Sequence, residues 1–107
     1  MLAWIYLAAA IASEVVGTVF LRFTDGFTNA APSALVLVTY AASLWLTALA
    51  LRELEISLAY AVWAGVGTAA VAVIGMAALG ESVNALKLAS IVLVIGGVVG
   101  LNLSGAN

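Results

Sequence analysis

The sequence predicts an all-α membrane protein of four transmembrane helices, and three observations carry that prediction. Of its 107 residues, 66% are hydrophobic and only 7% charged, with a mean hydropathy of +1.29; a water-soluble domain carries roughly a quarter charged residues. Four windows, 2–21, 32–51, 56–79 and 85–104, are apolar over the length of about 20 residues that a helix needs to cross the hydrocarbon core. The connectors are short enough to make sequential helices antiparallel neighbours, so residues 1–107 are read as a single transmembrane domain.

The first window opens with small residues, "AAAIAS", of the kind found at signal-peptide cleavage sites. No Lys or Arg precedes them and no soluble stretch follows, so the window is expected to stay in place as a span. Glu14 lies inside it. A charge at mid-depth costs at least about 2.5 to 3.5 kcal/mol. That cost falls if the carboxyl holds a proton or pairs with a cation, so Glu14 is expected to exchange one for the other. Ionisable residues inside spans mark ion and substrate pathways; the competing reading is a permanently neutral glutamic acid bonded to a neighbouring helix. Helical spacing puts Ala10, Ile11, Gly17, Thr18 and Leu21 on the face of Glu14. Small and hydroxylic residues there leave room for a ligand, and close helix packing requires the same residues, so both readings stand. Trp4, near the helix start, suits either an interfacial belt or the mouth of a cavity.

The connector "RFTDGFTNAA" holds Arg22 and Asp25. "TDGF" reads as a turn in which Gly26 is free to take positive φ. Pro32 suits the first turn of the second helix, where a missing N–H is no loss. Along that helix Tyr40, Ser43 and Thr47 share a face and offer hydroxyls to a pocket, with Trp45 pointing away. "RELE", carrying Arg52, Glu53 and Glu55, leads into the third window.

In "AYAVWAGVG", residues 59–67, Tyr60, Trp63 and Gly67 share a face. Aromatic faces attract cations by roughly 0.5 to 2 kcal/mol, so an aromatic pair facing a carboxylate would make an organic-cation site. The alternative is an interfacial belt, although Trp63 lies about 10 Å into the span at 1.5 Å per residue. "GVGTAA" also fits a dinucleotide-binding pattern, but no strand precedes it, so no nucleotide is expected. Gly65 and Gly67 would instead loosen the helix as a hinge or permit close packing.

"GESVNALK", with Gly80, Glu81 and Lys87, precedes the fourth window, and no aromatic residue lies beyond Trp63. Ligand chemistry therefore belongs to the first three helices. Ser90, Gly96, Gly97 and Gly100 allow close backbone approach, the signature of helix association in lipid. Dimerisation is the expected task, with packing inside one monomer as the alternative.

Cysteine and histidine are absent, so thiol nucleophiles and the usual zinc or haem ligand sets are not expected, and neither is a metal or cofactor. No nucleophile, base and orienting group come together as an enzyme would need. A net charge of -2 and a pI near 4.6 argue against nucleic acid as a partner. Lys and Arg in loops set orientation, yet Arg22 and Lys87 on one side oppose Arg52 and the N-terminal amine on the other. So even a balance predicts insertion both ways and, with it, antiparallel dimers.

Taken together, "ASEVVGT" around Glu14, "DGFTNAAPS" leading into Pro32, "AYAVWAGVG" around Trp63 and the closing "GLNLS" resemble the small multidrug resistance family of bacterial four-helix exporters. The resemblance covers essentially the whole chain. It implies a multi-pass protein of the bacterial inner membrane, working as an antiparallel homodimer that exchanges protons for small organic cations. Carried onto this sequence, it implies that Glu14 binds protons and cations in competition while Trp63, Tyr60 and Tyr40 line the pocket. Thr18, Ser43, Gly17 and Trp4 become supporting positions, Gly65 to Gly67 the hinge, and Ser90 and Gly97 part of a dimerising pattern. Gly17, Tyr40 and Asn102 resemble the branch that exports hydrophobic and quaternary ammonium cations, whereas "GESVNALKLAS" resembles the branch that exports guanidinium. A proton-coupled multidrug antiporter is thus the expected function, with a guanidinium/proton exporter as the alternative. A non-transporting helical membrane subunit is the more remote one.

Overall fold

A computed structural model describes residues 1–104 as four long helices: α1 (Leu2–Leu21), α2 (Ala30–Ala50), α3 (Ile56–Ala78) and α4 (Ala85–Leu103). Each is long and apolar enough to cross a membrane, where only helices and closed barrels satisfy every backbone group. No strand occurs among the described residues. The chain divides into two compact units, Met1–Glu53 and the part that begins at Leu54.

In the first unit α1 and α2 pack as an antiparallel pair. Ser43 meets Ala10 at one level and Tyr40 meets Thr18 at another, so the register runs in opposite directions along the two helices. The buried residues of α1 include Ala3, Leu7, Ala10, Ile11 and Val15, one stripe at helical spacing. On α2 the buried positions are Val36, Ser43 and Ala50, a seven-residue repeat that keeps one seam facing its partner. Alanine, serine and glycine along this seam let the backbones approach closely, which is how helices associate where lipid removes the hydrophobic drive.

A short 3₁₀ turn, Arg22–Thr24, extends α1 into the connector. Thr24 is buried there and organises the loop. Its hydroxyl donates to the Leu21 carbonyl at 2.8 Å and accepts from the Phe27 amide at 3.2 Å, while its carbonyl accepts from Thr28 and Asn29. The turn expected at "TDGF" forms with Gly26 at φ +67°, and it enlists its neighbours Asp25 (+49°) and Phe27 (+67°) in the same left-handed region. Phe27 is an uncommon residue for that conformation. Pro32 sits in the first turn of α2 but not at its first residue, since the helix starts at Ala30 and none of the first amides has an intrahelical acceptor.

In the second unit α3 and α4 approach at Gly65, where an added Cβ would collide with the Val98 side chain. At the end of α3, Gly80 takes φ +72° and the chain turns back so that the Glu81 amide donates to the Gly75 carbonyl at 3.0 Å. The Glu81 carboxylate lies against Gly75 and 3.8 Å from Lys87 Nζ. Asn84 caps α4, its side-chain oxygen accepting from the Lys87 amide at 2.8 Å, a bond worth about 1 kcal/mol. Helix α4 contributes no buried residue.

Candidate functional site

Glu14 is half-buried on α1, about two-thirds of the way along the helix. Its Oε2 accepts a hydrogen bond of 2.7 Å from the hydroxyl of Thr18, one turn further on. The same Thr18 oxygen lies 2.5 Å from the phenolic oxygen of Tyr40 on α2. A carboxylate, a threonine and a tyrosine thus form one continuous polar line between two largely apolar helices. In lipid such groups have no water to fall back on, so internal partners are what keep their cost down.

Gly17 explains how Tyr40 reaches this line. A Cβ at position 17 would stand 2.6 Å from two carbons of the Tyr40 ring and 2.5 Å from the Thr39 hydroxyl oxygen. The ring occupies the volume that any other residue at 17 would need. Of the two readings open for the small residues on this face, the structure makes Gly17 a site of close packing, and what packs there is a residue expected to line the pocket.

Ser43 is 3% exposed, and its hydroxyl donates to the Ala10 carbonyl at 2.8 Å. Ala10 O is also the acceptor that helix geometry assigns to the Glu14 amide, so Ser43 braces the turn of α1 that carries the carboxylate. Thr47 donates to the Ser43 carbonyl at 2.8 Å. Trp4 is half-buried on α1 but stands about 15 Å along the axis from Glu14, at 1.5 Å per residue. The structure therefore brings together Glu14, Thr18, Tyr40 and Gly17, places Ser43 one turn below, and leaves Trp4 apart.

On α3, Tyr60 and Trp63 stack with ring centroids 5.8 Å apart and planes 29° from parallel. Tyr60 remains 64% exposed, so an aromatic face is available to a further group. Gly65 and Gly67, one turn beyond, are buried in a helix that runs unbroken from Ile56 to Ala78. On α4, no α3 atom comes within 4 Å of a Cβ built at Gly96, Gly97 or Gly100, and Ser90 is exposed with its hydroxyl turned to the Leu86 carbonyl.

Sequence reasoning picked out Thr18 and Tyr40 separately but not the bond between them, and it passed over Thr39 beside Gly17. The i, i+4 spacing of Glu14 and Thr18 signals the bond between those two, whereas the contacts of Thr18 and Gly17 with α2 depend on how the two helices are set against each other.

Four membrane-length helices, one of them carrying a hydroxyl-bonded carboxyl, define a small multi-pass membrane protein. Residues 2–94 match the family model described as Small Multidrug Resistance protein, and the chain belongs to that family. It is 43% identical over 102 residues to Multidrug resistance protein EbrA of Bacillus atrophaeus, covering 95% of this chain and 97% of that one. It is 42% identical over 103 residues to the Guanidinium exporter of Escherichia coli O6:H1, covering 96% and 98%. The Nicotine metabolites export pump subunit NepB of Paenarthrobacter nicotinovorans is 46% identical over 102 residues, 95% of this chain and 61% of NepB.

Proposed function

We propose that this protein is a proton-coupled antiporter of the bacterial inner membrane that exports hydrophobic or quaternary ammonium cations, acting as an antiparallel homodimer. The observation that carries the proposal is the carboxyl of Glu14, held inside a membrane helix by the Thr18 hydroxyl. A carboxylate inside a membrane span is stabilised by a bound proton or a bound cation, and the two compete for it. The stacked pair Tyr60 and Trp63 supplies the aromatic face that attracts an organic cation. Proton and substrate sharing one carboxyl is itself the coupling: loading either one releases the other. Two dimer arrangements of nearly equal free energy, with Gly65 to Gly67 as the flexing point of α3, give alternating access.

The seating of Tyr40 against Gly17 supports the multidrug branch, because a bulky residue at 17 and the tyrosine at 40 compete for one volume. A second reading, export of guanidinium, is favoured by the resemblance of "GESVNALKLAS" to the guanidinium branch and by a relative named Guanidinium exporter. Liposomes containing the protein, under an imposed pH gradient, distinguish them. Uptake of a bulky quaternary cation that exceeds guanidinium uptake and is lost in Glu14→Gln supports the multidrug proposal. Gradient-driven uptake of guanidinium alone favours the second reading, and transport that survives Glu14→Gln contradicts both.

A further inference from the structure

A threonine hydroxyl has one proton to give. Thr18 gives it to Glu14 Oε2, so in the bond between Thr18 and Tyr40 the phenol must be the donor. With Glu14 ionised, the line therefore has a single direction, from Tyr40 through Thr18 to the carboxylate. A proton arriving at Oε2 turns that oxygen from acceptor to donor. Thr18 then accepts from Glu14, and its own proton has only the Tyr40 oxygen to go to along this line, so the phenol changes from donor to acceptor. No covalent bond breaks in this change beyond the protonation of Glu14; two hydroxyls rotate.

We propose that Tyr40 and Thr18 are positioning residues that form a reversible hydroxyl chain, seated by Gly17, which carries the protonation state of Glu14 across to α2. The proposal rests on the reading that Glu14 takes up and releases protons. It adds that the phenol of Tyr40 offers an arriving ligand a donor in one state and an acceptor in the other. Gly17 is essential to the chain because only a residue without Cβ lets the Tyr40 ring lie close enough for its oxygen to reach Thr18. No other titratable side chain is carried by α2, whereas α1 carries Tyr6 as well as Glu14 and the 3₁₀ turn carries Arg22 beyond its end. Within this pair of helices, Glu14 is thus the acid to which Tyr40 can respond.

The test is nuclear magnetic resonance of the whole protein in lipid bilayers, with 13C at the tyrosine Cζ and glutamate Cδ positions. Signals are assigned by their loss in Tyr40→Phe and Glu14→Gln. The expected result is that the Tyr40 Cζ shift moves with pH at the same midpoint as the Glu14 Cδ shift. In Thr18→Val, which keeps the shape and removes the hydroxyl, the Tyr40 movement is lost while Glu14 still titrates, and Thr18→Ser restores it. Gly17→Ala behaves like Thr18→Val. A Tyr40 signal that stays still while Glu14 titrates, or one that moves undiminished in Thr18→Val, overturns the hydroxyl chain and leaves the transport proposal intact. A Glu14 signal that never titrates overturns both.

Discussion

Gly17 is the residue whose replacement says most about the site. Its Cβ position is occupied by the Tyr40 ring and the Thr39 hydroxyl, so Gly17→Ala forces two helices apart or drives the tyrosine out, an overpacking cost of about 1 to 3 kcal/mol. Reversible unfolding in mixed micelles should show that loss, and Gly17→Ala with Tyr40→Ala should recover part of it; equal stability of the single variant and the parent would refute the packing. Glu14 was legible in the sequence because lipid makes an acid expensive wherever it stands in a span. The bond between Thr18 and Tyr40 was not, because it depends on the register of α1 against α2, which periodicity leaves free. Trp4 stands about 15 Å from Glu14 along α1, at 1.5 Å per residue, so its place beside the pocket rests on the family resemblance.

At the scale of elements, α1 pairs with α2 through a seam of small residues, whereas α4 leaves its glycines unused by α3. Gly96, Gly97 and Gly100 have no α3 atom within contact of a Cβ, and α4 has no buried residue at all. The antiparallel homodimer we propose would give this face a use. Gly97→Leu should therefore preserve helical content by circular dichroism while chemical cross-linking in membranes falls to the monomer background. Undiminished cross-linking would remove α4 from the interface. The spans were readable from length and hydropathy alone, since the bilayer sets how many apolar residues a helix needs. Local backbone chemistry was less readable. Pro32 is tolerated through the first turn and so does not mark the first residue of α2, and the left-handed Asp25 and Phe27 follow from the hydroxyl and carbonyl of Thr24, which composition does not reveal.

For the whole molecule, three Lys or Arg residues divide almost evenly between the two ends of the spans, and orientation in a membrane follows that division. Loop charges engineered to fix one orientation should abolish transport when expressed alone and restore it when two opposite variants are co-expressed. Full activity from a single fixed orientation would exclude the antiparallel dimer. The central claim, that one carboxyl serves proton and substrate in turn, has a more direct test. Purified protein in weak buffer near neutral pH is mixed with a lipophilic quaternary cation and the pH is recorded. The account predicts proton release on mixing that is absent in Glu14→Gln; no release, or release unchanged in Glu14→Gln, would contradict it.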